Sequence, residues 1–263
     1  MGIFTRLQHR VFGNPRIAIE AKAPKYDGSV VLFVGKGGCG KTHASSLVLV
    51  ASSLQWALPA YIQDTTGSVR TRVDGHLRWL RTLDTAKAKR QIEHIESRFQ
   101  YFTGRDSAKL LDVFNQLLED TKRTGSVANW QGVCLFDDAQ VLRAANSEFF
   151  DQVLPLFRNL GLLALVTTHR DKGIPPSARV NVRRVIAWQS STTVELDGYE
   201  FTGRQLNTPK SQSLVYVDPS TGNDGVWNLD DAPPSILTTP GAITTPKATP
   251  FKVGHRDMRD EVQ

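Results

Sequence analysis

Short apolar runs alternate along this chain with longer stretches in which apolar residues recur every three to four positions. Val30-Val31-Leu32-Phe33-Val34 reads as a strand over 29–34, and the run from His43 to Val50 continues a helix over about 41–55. Ala60-Tyr61-Ile62-Gln63-Asp64 predicts a second strand with an acid at its carboxyl end, followed by a helical, basic segment over about 70–97. Phe99-Gln100-Tyr101-Phe102 reads as a third strand, and Leu110, Leu111, Phe114, Leu117 and Leu118 keep helical spacing after it. Further strands are predicted from Gly132 to Phe136, from Leu162 to Thr168 and from Val185 to Trp188, with a helix near 146–159. Strands alternating with helices predict an α/β fold: a three-layer sandwich around a mostly parallel sheet covered on both faces.

The ends follow other patterns. In residues 1–28, Ile3, Phe4, Leu7, Val11 and Phe12 fall on one helical face and Arg6, His9 and Arg10 towards the other. This N-terminal extension can dock on the core, on a neighbouring subunit or, through residues 1–12, on a membrane surface; docking on protein is the default. Asp197-Gly198 lies between Thr192–Leu196 and Tyr199–Phe201, a hairpin signal, and a second Gly-rich turn separates Ser213–Val217 from Gly225–Asn228. Both hairpins are expected at the edge of the sheet, which completes a main domain over 29–229. From residue 230 to 263 proline and threonine dominate, which builds no core and predicts an extended C-terminal arm.

Chemistry enters at the first strand–helix junction. Gly35-Lys36-Gly37-Gly38-Cys39-Gly40-Lys41-Thr42 fits G-x-x-x-x-G-K-[ST] in its required setting, after a strand and before a helix. Glycines let successive amides turn inward as an anion nest, and the helix adds its positive N-terminal end. Residues 35–43, including His43, are the candidate cradle for ATP. Lys41 is expected on the β- and γ-phosphates and the Thr42 hydroxyl on Mg²⁺. Asp137, at the tip of a buried strand, falls where a carboxylate holds Mg²⁺ through its water shell. Asp138 falls where a carboxylate polarises the attacking water, although it is one methylene shorter than the usual glutamate. The plainer alternative is that the pair caps a following helix.

The strand ending in Thr167-Thr168-His169-Arg170 puts polar residues at the carboxyl end of a parallel strand, where ligands bind; Thr168 or His169 is the candidate γ-phosphate sensor. A motor also needs an arginine that neutralises transition-state charge, often from a neighbouring subunit. Arg158, Arg170, Arg179 and Arg183 are candidates. Arg179 stands out because Gly173-Ile174-Pro175-Pro176-Ser177-Ala178-Arg179 reads as a stiff surface loop, although a solvated arginine is the plainer reading of each.

In order and spacing, the loop at 35–42, Phe136-Asp137-Asp138-Ala139-Gln140 and the segment from Val166 to Arg179 resemble the FtsK–HerA superfamily of DNA-pumping ATPases. They are most similar to its short viral branch, the genome-packaging ATPases of tailless icosahedral DNA viruses with an internal membrane. The resemblance covers about residues 29–190. It implies a P-loop NTPase fold with a strand inserted between the two that carry the loop and Asp137. It also implies a homo-oligomeric ring, usually hexameric, with ATP at subunit interfaces and double-stranded DNA in the channel. Capsid or portal-vertex proteins become expected partners, and the virion's packaging vertex or the host cytoplasm the expected location. The chain departs from the family at Asp138, where glutamate is commoner, and at Thr168-His169, where glutamine is common. Lys36 also resembles the early lysine of ParA/MinD-type ATPases, which reaches a partner's nucleotide; a solvated lysine is the favoured reading. A filamentous-phage-type assembly ATPase at a membrane is a further alternative.

Composition changes this picture little. The 263 residues, 40% hydrophobic, suffice for one large domain with appendages, with no secretory signal and no apolar run long enough for a membrane span. Arg6 stands where myristoylation would want Ser or Thr. Cys39 and Cys134, one in the loop and one in a core strand, suggest no disulfide and a reducing compartment. Charge matters more. The net charge is +6 and the pI near 9.4, and the bias is uneven: residues 70–90 carry Arg70, Arg72, Arg78, Arg81, Lys87, Lys89 and Arg90 against Asp74 and Asp84, interleaved with Trp79 and Leu80. The segment reads equally as a solvated amphipathic helix or as a salt-sensitive contact surface for the DNA backbone.

Overall fold

The computed structural model describes residues 30–35, 37–82, 86–103, 106–124, 131–141, 157–169, 182–188, 193–196, 199–202, 213–217, 224–228 and 233. The expectations for residues 1–28, Lys36, most of the helix near 146–159, Arg170, Arg179 and the arm over 234–263 lie outside them.

In order, the elements are β1 (Val30–Val34), α1 (Lys41–Trp56), β2 (Ala60–Gln63), α2 (Ser68–Thr82), α3 (Ala86–Glu96), β3 (Phe99–Phe102), α4 (Ser107–Thr124), β4 (Gly132–Phe136), α5 (Phe157–Leu160), β5 (Leu162–Thr168), β6 (Val182–Trp188), β7 (Thr193–Leu196), β8 (Tyr199–Thr202), β9 (Ser213–Val217) and β10 (Asp224–Asn228). Eight strands make one sheet in the order β10-β9-β6-β1-β5-β4-β2-β3. From β6 to β3 every pairing is parallel, and β9 joins β6 antiparallel.

Side-chain parity sorts the core into two layers. Val31, Phe33, Val133, Leu135, Leu163 and Leu165 face α1, α2 and α3. Val30, Leu32, Val34, Cys134, Phe136, Ala164 and Val166 face the opposite way, onto Leu110 and Phe114 of α4 and Phe157 and Leu160 of α5. This is the expected three-layer sandwich. β1, β4 and β5 are buried at every position, because parallel strands covered on both faces have no solvent side. Gly132 opens β4 where space is shortest: a Cβ there would stand 2.9 Å from Tyr61 Cε2 and 3.2 Å from the Pro59 carbonyl oxygen. Gly132→Ala is therefore expected to destabilise the fold by about 1–3 kcal/mol, read as a lowered urea midpoint.

Three expectations need correction. The basic segment is two helices, not one. The Thr82 hydroxyl bonds back to the Trp79 carbonyl at 2.6 Å where α2 ends, and the chain returns so that Ile92 and Ile95 of α3 reach the same core as Val73, Leu77 and Leu80 of α2. An ion pair between Arg81 and Glu96 ties the two helices together. Leu80 is buried and Trp79 half-buried against that core. Of the hairpins, β9–β10 extends the sheet, whereas β7 and β8 form a two-stranded sheet of their own. β6 begins at Val182, three residues before the apolar run that marks it in the sequence.

Candidate nucleotide site

The carboxyl ends of β1, β5, β4 and β2 converge on one rim of the sheet, with the N-terminus of α1 above them. Gly38 at φ 75° and Gly40 at φ 99° take the left-handed turns that bring the loop round, conformations closed to most side chains. The Gly35 amide bonds to the Thr168 carbonyl at 3.2 Å, which pins the start of the loop to the end of β5. Lys41, only 8% exposed, folds its ammonium back to the Gly35 carbonyl at 2.8 Å. The cation is thus held inside the curl of its own loop, where it faces any anion the amides collect.

Asp137 follows β4 on the α1 side of the sheet, the parity of Leu135. Its Oδ1 accepts hydrogen bonds from the Thr42 hydroxyl at 3.0 Å and the Thr167 hydroxyl at 3.0 Å. The Thr167 hydroxyl in turn accepts the Asp138 amide at 2.8 Å, so one side chain fixes both acids. Burial pushes the Asp137 carboxyl above its ordinary value; the two hydroxyl donors oppose that shift, and the Asp64 and Asp138 charges add to it. A carboxylate short of countercharge, beside a threonine hydroxyl, suits a hard divalent cation. The spacing fits too: two oxygens on one edge of a Mg²⁺ octahedron stand about 2.9 Å apart. Thr42 and Asp137 would hold the ion.

Asp138 departs from strand geometry, with φ 56° in the left-handed region. The kink turns its side chain along the rim. Its Oδ1 is buried and has no hydrogen-bond partner among the described residues, and its Oδ2 lies 3.6 Å from His169 Nε2. An unsatisfied buried carboxylate oxygen is costly, and it leaves an acceptor open for a water. His169 completes the rim. Its Nδ1 is 3.5 Å from the Lys41 ammonium, and its ring lies 3.6 Å from where a Gly37 side chain would begin. The tautomer in which Nδ1 accepts from Lys41 carries its proton on Nε2, towards Asp138.

The structure therefore gathers Gly35, Gly37, Gly38, Cys39, Gly40, Lys41, Thr42, Asp137, Asp138 and His169 around one rim. Thr168 is fully buried; by parity it belongs with Ala164 and Val166 on the α4 side, while Thr167 occupies the α1 side. Thr167 was missed in the sequence, although counting parity back from Leu165 finds it. Cys39 and Cys134 are free thiols, and burial raises both.

His43 packs at 5.0 Å against the ring of His76 on α2. Burial, then the charges on His43 and Arg72, push His76 down to about 4. The folded protein thus holds His76 neutral, while the unfolded chain takes up a proton near 6.5. Stability is full above that value and falls as pH drops towards 4, by up to about 3 kcal/mol. Urea unfolding at several pH values should show this slope, and His76→Gln should flatten it.

The sheet order decides the architecture: β5 lies between β1, which carries the loop, and β4, which carries Asp137. The fold is that of a P-loop NTPase. EssC (ATPases 2 and 3) from Geobacillus thermodenitrificans superposes with a TM-score of 0.56 at 15% identity, over 81% of this chain and 42% of that one. The cytoplasmic domain of the Thermomonospora curvata Type VII secretion ATPase EccC gives 0.56 at 12% identity, over 87% of this chain and 32% of that one. B204, the DNA-packaging ATPase of Sulfolobus turreted icosahedral virus, gives 0.48 at 14% identity, over 76% and 96%. This chain thus spans less than half of the EssC and EccC chains. No protein-family profile and no curated protein sequence matches it. Among the described residues, no helix is long and apolar enough to cross a membrane.

Proposed function

We propose that this chain is a Mg²⁺-dependent ATPase that translocates double-stranded DNA and packages a viral genome into a preformed capsid. The observation that carries the ATPase reading is the 3.0 Å contact between the Thr42 hydroxyl and Asp137, which joins the phosphate loop to the acid of β4. In this reading Gly35–His43 cradle the triphosphate, Lys41 neutralises it, and Asp138 orients the attacking water through its open oxygen. His169, touching both Lys41 and Asp138, registers the γ-phosphate, with Thr168 beneath it in the strand. Mg²⁺ bound at Thr42 and Asp137 supplies charge neutralisation on the phosphates. Arg170 and Arg179 are the proposed sources of the arginine given to a neighbouring subunit.

DNA as the substrate rests on the sequence resemblance and on the outer face of α2 and α3, where Arg72, Arg78, Lys89 and Arg90 are exposed. Arg70 is partly committed elsewhere, over the Tyr101 ring at 5.1 Å. A homo-oligomeric, hexameric ring around the duplex, with capsid or portal-vertex partners at the packaging vertex or in the host cytoplasm, completes the proposal. A peripheral membrane contact through residues 1–12 belongs to the same picture. A motor acting on protein is the second reading, favoured by the likeness to EccC.

Duplex DNA is expected to stimulate ATP turnover, with stimulation falling steeply between about 50 and 200 mM salt. Arg72→Ala with Arg78→Ala should lower the stimulation and leave turnover without DNA unchanged. Turnover that ignores DNA at low salt would favour the protein-motor reading.

A further inference from the structure

Asp137 is held from a third side, by the turn that joins β2 to α2. The Thr65 hydroxyl donates to the Asp137 carbonyl at 3.2 Å, and the Ser68 hydroxyl lies 3.5 Å from Asp137 Oδ2, the oxygen that Thr42 and Thr167 leave open. Donor and acceptor roles make this contact directional. The Thr66 hydroxyl donates to the Ser68 oxygen at 2.8 Å and accepts the Ser68 amide at 3.4 Å. With its oxygen already accepting, the Ser68 hydroxyl turns its proton towards Asp137.

Asp64 braces this arrangement. Its Oδ1 accepts the amides of Gly67 at 2.8 Å and Thr66 at 3.3 Å, and its Oδ2 accepts the Arg70 amide at 2.8 Å. Asp64 sits at the tip of the strand beside β4 and is only 6% exposed, so by position alone it would compete with Asp138 to activate water. Three backbone amides occupy it instead. Its task is to fix the curve of the turn, and Gly67 at φ 78° supplies the left-handed residue that curve requires.

We infer that residues 64–68 form a third wall of the phosphate and metal site, in which Ser68 and Thr65 are positioning residues for Asp137 and Asp64 braces both. The inference rests on the ATPase reading and adds three side chains to it. It also gives the basic helix α2 a direct tie to the site, because Ser68 is its first residue. A change in how Asp137 is occupied therefore reaches the start of α2 through one hydroxyl.

The test uses the full chain and a fluorescent, non-hydrolysable ATP analogue titrated with and without Mg²⁺. Ser68→Ala and Thr65→Val are expected to leave metal-free affinity as in wild type and to weaken the Mg²⁺-dependent gain by about tenfold, as loss of a group supporting a metal ligand does. Asp64→Asn, which cannot accept all three amides, should do the same if it folds; the other two variants decide the matter if it does not. Hydrogen exchange supplies a readout apart from nucleotide affinity. Amides in the first turn of α2 should slow on binding Mg²⁺ and analogue in wild type, and not in Ser68→Ala. An undiminished Mg²⁺-dependent gain in the Ser68→Ala, Thr65→Val double variant overturns the inference, as does equal weakening with and without metal. A wild-type protein that binds no analogue overturns the ATPase reading itself, and this role with it.

Discussion

Lys41→Ala is expected to leave a folded protein without measurable ATP turnover. The ammonium sits inside the loop on the Gly35 carbonyl, nearly closed off from water, next to the His169 imidazole. A charge fixed there before any phosphate arrives needs no reorganisation to stabilise the transferring group. Removing one such preorganised donor costs about 10²–10³ in rate, and more where it carries a full charge in a dry site. Alanine also strips the loop of the countercharge that makes a triphosphate bearable, so affinity should fall along with turnover. Phosphate release and nucleotide titration read the two effects separately. Full turnover in this variant would end the enzyme hypothesis.

Asp137→Asn should lose function and keep its fold, which separates the role of the charge from that of the shape. Asparagine preserves the acceptor for Thr42 and Thr167, and its amide nitrogen can donate to Ser68. What disappears is the charge, and with it the proposed seat of the cation; Mg²⁺-dependent turnover should fall by about 10²–10³. The effect on stability runs the other way. Burial and the neighbouring acids raise this carboxyl in the folded state, so its contribution to stability is full below the ordinary carboxylate value and is lost as pH rises through the raised one. At neutral pH the charged form is a burden that the amide lacks. Urea unfolding should therefore find Asp137→Asn at least as stable as wild type. A variant that unfolds, or one that keeps its metal-dependent turnover, would contradict this assignment.

The sequence exposed those features that local physics specifies. Continuous apolar runs marked β1, β4 and β5 because strands buried on both faces have no solvent-facing positions, and the glycine spacing marked the loop because only glycine tolerates its left-handed turns. It was silent where tertiary contact decides. Nothing in 70–97 showed that α2 would stop at Thr82, since the stop follows from bringing Ile92 and Ile95 back to the core. The strands β7 and β8 read like β9 and β10, because pairing partners are not written in a strand's own pattern. In the site, the signal failed for hydroxyls. Thr65, Ser68 and Thr167 are ordinary residues in ordinary places, and only the convergence of three strand ends makes them neighbours of one acid. Asp64 was visible as a strand-end carboxylate, but its engagement with amides up to six residues further on belongs to the turn.

From Ala44 to Leu54 every residue of α1 is buried, serines included. A rod gripped over eleven consecutive residues has little room to slide or tilt against the sheet. In the proposed ATPase, a rearrangement that follows phosphate release therefore falls to the rim, to the imidazole on one bank and the β2–α2 bend on the other, while the helix serves as a fixed anvil.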